Sequence, residues 1–371
     1  TIVPHTQECI LSAIGDQYGS SSHNTLSDLN ELIRQPKGCG EQTMLYMAPT
    51  LYTLKYLQSI DRLNGDTKFK GRKYLIEGYQ RELTFRKEDG SFSAFPTRPS
   101  SIWLTAFVMK VFCQSQPFLQ DDGMDTKVIY SGIEWLLKEQ KDDGSWIEKH
   151  PVIHERALGG VKGTVPLTAY IAIALNECQN VYHLYDPEFD YALNRSKAFL
   201  MKHEHSLIKS KDTYAIGLVA YSLTFKEPKN SHSLISWLHN YSNIDDSKNY
   251  KYWRGDYETE ATSYALLAIL NSGLRNSIEA MSVANYLNSK RSFTGSFYST
   301  QDTVVALEAL AKYAQSQSAL PENSKLFCNI TSNNKRFRKS LEFHKDNALV
   351  LQTFKAHNDV DHLEFHTHGN G

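Results

Sequence analysis

The chain has 371 residues, with 40 Lys+Arg against 41 Asp+Glu, a formal net charge of -1, 41% hydrophobic and 12% aromatic residues. This balance excludes a nucleic-acid binder that relies on a basic surplus and a disordered chain poor in aromatics. No apolar run approaches the roughly 18–20 residues that span a bilayer.

Taken in chain order, residues 1–11 read as a β-strand preceding a helical region. The chain opens on Thr1 with no signal-peptide pattern and ends in a polar stretch, so it is read as a piece of a longer protein. From Cys39 onward a repeat emerges. Residues 39–57, 103–112, 166–178, 212–223, 258–270 and 300–313 each open on small polar residues. Each then runs apolar nearly all round, as buried helices do. Between them, residues 68–83, 127–140, 187–203, 231–241 and 278–290 carry one charged face and read as outer helices. The turns repeat as Asp89-Gly90-Ser91-Phe92, Asp143-Gly144-Ser145-Trp146 and Thr294-Gly295-Ser296-Phe297. Glycine supplies a permissive backbone there and the aromatic anchors the turn on the core.

This pattern predicts an all-α domain, an α/α toroid of six inner and six outer helices; an open helical solenoid is the alternative. After Leu320-Pro321 the composition changes to short alternating β-prone segments at 325–330, 337–343 and 348–354. The expected organisation is therefore a lead-in over 1–15, a toroid over 16–320 and part of a β-domain over 321–371.

The residue with the most chemistry is Cys39, in Pro36-Lys37-Gly38-Cys39-Gly40-Glu41-Gln42-Thr43-Met44. Positions i and i+3 share a helix face, so the Cys39 thiol and the Gln42 carboxamide can meet. Loss of ammonia would join them as an internal thioester, and the flanking glycines allow the ring to close. The sulfur would leave as a thiolate, which makes the acyl group reactive.

The string Gly-Cys-Gly-Glu-Gln-x-Met resembles the thioester motif of the alpha-macroglobulin and complement superfamily. The resemblance extends from Asp16 through residues 78–83, 89–92, 103–108 and 299–307. Residues 252–255, 260–264 and 294–297 are most similar to insect-type thioester-containing proteins. The resemblance implies an α/α toroid flanked by a CUB domain, to which the β-prone tail would belong. It implies no cofactor and no metal.

His154, in Pro151-Val152-Ile153-His154, matches by motif the histidine that attacks the thioester in complement-type members. There the imidazole takes the acyl group, and the freed thiolate, here Cys39, activates a hydroxyl. Glu41 and Glu155 are the candidate supporting carboxylates. Complement relatives often carry glutamate two residues after this histidine, where Arg156 stands here.

With Cys39 used, four cysteines remain. Cys113–Cys178 with Cys9–Cys328 is the pairing favoured among three connectivities. Sequons at Asn194, Asn240 and Asn329, the disulfides and the resemblance together point to a secreted glycoprotein.

The implied function is that of an opsonin. A proteolytically activated parent would attach to hydroxyls or amines on microbial or cell surfaces and be read by a receptor, with no nucleic acid or membrane span involved. A protease-trapping alpha-macroglobulin is the alternative. A remoter one is an α/α-barrel enzyme of the terpene-cyclase type, suggested by Gln140, Gly144 and Trp146 but lacking the acidic Asp-x-Asp-Asp motif.

Overall fold

The computed structural model describes residues 9–13, 29–60, 62–119, 124–150, 152–153, 158–182, 187–273, 277–292, 296–317, 325–332, 337–344, 352–356 and 362–370. The chain divides into two compact units, Asp28–Ser316, and Thr1–Ser27 together with Gln317–Gly371.

The first unit is an α/α toroid. Its inner helices are α1 (Gly40–Ser59), α3 (Ile102–Leu119), α5 (Thr164–Glu177), α8 (Thr213–Leu223), α10 (Glu258–Asn271) and α12 (Thr300–Gln317). Their sequences are apolar around the whole circumference, and they bury accordingly: α8 is buried at every position after Thr213 and α3 along nearly all of its length. The other helices among the described residues are α2 (Gly65–Leu83), α4 (Thr126–Lys138), α6 (Gln179–Tyr182, a single turn), α7 (Pro187–Ser210), α9 (His232–Asn240) and α11 (Ser277–Ser289). On α2, α4, α7 and α9 only one stripe is buried, such as Val128, Ile129, Ile133 and Leu136 on α4. A short hairpin, β2 (Asn243–Asp245) with β3 (Tyr250–Tyr252), precedes α10. Its strands have only three residues each, too few for period-two patterning to reveal them.

One turn device sets the start of four inner helices. The backbone N–H of an aromatic residue donates to a threonine hydroxyl one turn into the helix: Phe92 to Thr105 at 3.0 Å, Trp146 to Thr168 at 3.1 Å, Trp253 to Thr262 at 3.2 Å and Phe297 to Thr303 at 3.0 Å. In the first two, the Asp89 and Asp143 carboxylates accept from the N–H and hydroxyl of Ser91 and Ser145. Gly90 and Gly144 have φ of +92° and +89°, a left-handed backbone that glycine adopts without penalty. Gln140 donates to the carbonyls of Gly144 and Ala192, and Trp146 Nε1 to that of Leu136. The Gln–Gly–Trp pattern therefore serves as a turn anchor.

A polar network lies among the inner helices. Lys110 on α3 pairs with Glu308 on α12 at 2.8 Å, both nearly inaccessible, and Gln114 links Glu308 to Lys55 on α1. Lys312 on α12 donates to the Tyr221 hydroxyl on α8, which donates to Glu177 at the end of α5. Burial disfavours charge on Glu308, yet Lys110 holds its carboxyl below the ordinary range. Cys113, within α3, is disulfide-bonded to Cys178, the C-cap of α5, with Cα atoms 5.1 Å apart.

The second unit contains β1 (Cys9–Ala13), β4 (Lys325–Ser332), β5 (Arg338–His344), β6 (Gln352–Ala356) and β7 (Leu363–Asn370). β4 lies between β5 and β7, and β1 pairs antiparallel with β6. Alternation buries Cys328 and Ile330 on β4 and Leu341 and Phe343 on β5, against Phe337, Leu11 and Phe354. β7 departs from expectation. The sequence reads as a polar tail, but Leu363, Phe365 and Thr367 alternate with Glu364, His366 and His368, and the strand is completed by its ladder to β4.

The expected Cys9–Cys328 bridge is not formed. Cys328 keeps a buried free thiol on β4, while β1 hydrogen-bonds to β6 in a separate sheet. Of the sequon asparagines, Asn194 and Asn240 are exposed, whereas Asn329 is half-buried and accepts a hydrogen bond from Ser340.

Candidate functional site

Cys39 is the N-cap of α1, in extended conformation, and the first helical hydrogen bond runs from the Thr43 N–H to the Cys39 carbonyl at 2.8 Å. Gln42 is the third helical residue. The Cys39 sulfur accepts the Gln42 backbone N–H, and the Gln42 side-chain oxygen accepts the Cys39 backbone N–H at 3.2 Å. This is the reciprocal geometry of a capping box, with thiol and carboxamide in the two capping roles. The helix start thereby turns each side chain back onto the other residue's backbone.

The flanking glycines have separate reasons to be there. Gly38 has φ +89°, and a Cβ on it would collide with the Gln42 amide oxygen. At Gly40 a Cβ would approach the Ser93 carbonyl oxygen to 2.7 Å and Glu82 Oε1 to 3.2 Å. Gly40 N–H donates to the Ala94 carbonyl at 2.9 Å, which seats the helix start directly on the first aromatic turn. Arg81, near the end of α2, donates from both Nε and Nη2 to the Gly38 carbonyl.

Cys39 is 4% exposed, and burial pushes its thiol up, with Glu41 acting in the same direction. Glu82 is fully buried with neither carboxyl oxygen hydrogen-bonded among the described residues. Burial pushes its carboxyl well above the ordinary range, Arg81 opposes this and Glu41 adds to it.

Glu41, a candidate supporting carboxylate, is buried and accepts the backbone N–H of Ile153 at 2.9 Å. It thus fixes the backbone immediately before His154. Farther along, Glu260 in the first turn of α10 accepts the Gly160 N–H at 3.4 Å, and burial followed by Asp302 pushes its carboxyl up to about 8. Glu148 at the segment's beginning caps α3, accepting from Ser101 Oγ and from the backbone N–H of Ile102 and Trp103. His154 and Glu155 lie outside the described residues. Sequence reasoning missed Arg81, Glu82, Glu148 and Glu260. Only Glu260 carried a signal, as an acid in the first turn of an inner helix, where the helix dipole favours it.

Among the described residues no group of three or more His, Cys, Asp or Glu side chains could hold a metal ion.

Residues 11–313 match the family described as the A-macroglobulin TED domain. The chain belongs to that family. It is 33% identical to a complement C3 of Lethenteron camtschaticum, an alignment covering 95% of this chain and 22% of the relative. It is 31% identical to a complement C3 of Eptatretus burgeri over 96% of this chain, and 32% identical to a venom factor of Crotalus adamanteus over 95%. It spans about a fifth of the length of these relatives, 22%, 22% and 21%. Membership establishes a thioester-containing, complement-like domain. It also gives Cys39 and Gln42 a shared context, since both open the first inner helix of a TED toroid.

Proposed function

We propose that this domain belongs to a secreted innate-immune protein that marks target surfaces by transacylation from a Cys39–Gln42 thioester. The observation that carries this reading is the reciprocal hydrogen bonding of Cys39 and Gln42 at the start of α1. The complement C3 relatives support it.

In the proposed sequence His154 attacks the Gln42 carbonyl, the carbon–sulfur bond breaks, and Cys39 leaves as a thiolate. Burial raises the affinity of that sulfur for a proton, which makes it a stronger general base toward a hydroxyl acceptor. The hydroxyl then takes the acyl group from the imidazole as an ester, its proton passes to Cys39, and water competes. One chain transfers one acyl group, so the domain is a single-turnover reagent and not an enzyme. Its partners are surface hydroxyls and amines, an activating protease and an opsonic receptor. No helix of the described residues is long and apolar enough to cross a membrane.

The test is acyl transfer to labelled glycerol and to labelled methylamine by the wild type and by His154→Asn. The wild type should favour glycerol and the variant methylamine. An equal ratio in both would overturn the role of His154, and amine preference in the wild type would favour the protease-trap alternative.

A further inference from the structure

The Gly38–Cys39 peptide is gripped from both ends. Its carbonyl oxygen accepts two donors from the Arg81 guanidinium, Nε at 3.1 Å and Nη2. Its N–H points to the Gln42 side-chain oxygen at 3.2 Å. That amide oxygen stands in for the carbonyl oxygen of the thioester, and the missing side chain of Gly38 is what leaves room for it. A cation donating to a peptide carbonyl polarises the amide and strengthens its N–H as a donor. Charge-assisted bonds are about twice as strong as neutral ones. Arg81 also lies over the Phe85 ring at 6.0 Å, which holds the side chain across the loop.

Building on the transacylation reading, we propose that Arg81 is a positioning residue that acts through the Gly38–Cys39 peptide to make the Cys39 N–H an oxyanion donor for thioester opening. When a nucleophile's electron pair adds to the Gln42 carbonyl carbon, the C=O π pair moves to oxygen. The negative charge then forms where the Cys39 N–H points. Collapse restores the carbonyl and expels the sulfur as a thiolate, and the nucleophile's proton goes to that thiolate or to water. The peptide is already oriented by Arg81, so no reorganisation is needed as the charge develops.

The test uses the full protein with Arg81→Met, Arg81→Gln and Arg81→Lys. Three readouts apply: thioester content by mass, the methylamine cleavage rate per intact thioester, and the infrared stretch of the thioester carbonyl in a difference spectrum before and after cleavage. Arg81→Met should slow cleavage by about three- to ten-fold, the net worth of one hydrogen bond, and move the stretch to higher frequency. Arg81→Gln, which keeps a donor without charge, should fall in between, and Arg81→Lys should recover most of the rate. An unmoved stretch and an unchanged rate in Arg81→Met at wild-type thioester content would overturn the proposal. If Arg81→Met does not accumulate the protein, an Arg81→Gln indistinguishable from wild type in both readouts overturns it equally. A wild-type protein without any thioester would instead overturn the transacylation reading, and this inference with it.

Discussion

Glu41 Oε1 accepts the backbone N–H of Ile153 at 2.9 Å, across 112 positions of sequence. The glutamate inside the Cys39–Gln42 motif thus holds the segment that leads into His154. Cys39, Gln42 and the backbone of Ile153 are thus tied to the same first turn of α1. Replacing Glu41 by alanine would leave that N–H without its acceptor, a loss of about 1–3 kcal/mol. Glutamine would still offer a carbonyl. We expect Glu41→Ala to lower the glycerol-to-methylamine transfer ratio roughly ten-fold, the equivalent of about 1.4 kcal/mol, and Glu41→Gln to stay near wild type. An unchanged ratio in Glu41→Ala would remove the link between this contact and the chemistry.

The Lys110–Glu308 pair, with side chains only 3% and 7% exposed, tests what holds the toroid axis together. Removing one partner of a buried pair strands a charge and typically costs about 3–5 kcal/mol, while replacing both by apolar residues is often neutral. Lys110→Met should therefore lower the midpoint of denaturant unfolding sharply, and Lys110→Met with Glu308→Leu should regain most of it. Lys55, Gln114 and Lys312 surround the same carboxylate, so recovery in the double variant should be incomplete. A single variant as stable as wild type would show that water reaches the pair.

Glu260 gives a pH signature. Its folded-state carboxyl is pushed up to about 8 from 4.5, so the folded protein binds more protons than the unfolded chain between those values. Stability that is present below about pH 4.5 should decline as pH rises, at up to about 1.4 kcal/mol per unit, and level off above pH 8. Glu82, also raised by burial, acts in the same sense. Glu260→Gln should flatten the decline over pH 5–8 in thermal-unfolding scans. A parallel profile would mean that Glu260 is ionised in the folded protein at neutral pH.

Much of the toroid is legible in the sequence because buried helices that are apolar all round, such as α8, alternate with striped ones such as α4. The two Asp-Gly-Ser-aromatic turns mark where α3 and α5 begin. Cys39 and Gln42 are legible for a local reason: the i to i+3 spacing is itself the capping geometry that brings them together. The contacts of Arg81 and Glu260 are not legible, because their partners are backbone groups dozens of residues away, and Glu82 has no hydrogen-bond partner among the described residues to mark it. No periodicity encodes such contacts. The bond from Arg81 to the Gly38 carbonyl spans 43 positions and that from the Gly160 N–H to Glu260 spans 100. β7 was obscured for another reason: its histidines and glutamate look like solvated tail until β4 supplies the ladder. Cys328 shows the limit of counting, since an even remainder of cysteines suggested a second bridge that the sheet order does not make.

The central claim is that Cys39 and Gln42 form one bond, and mass spectrometry of the protein as purified, with and without methylamine, tests it most directly. The account expects a deficit of about 17 Da, the mass of the ammonia lost on cyclisation. Methylamine should remove that deficit, leaving one methylamide at Gln42 and one newly titratable thiol at Cys39. Full calculated mass before treatment, with no adduct at Gln42 and no thiol released afterwards, would contradict it.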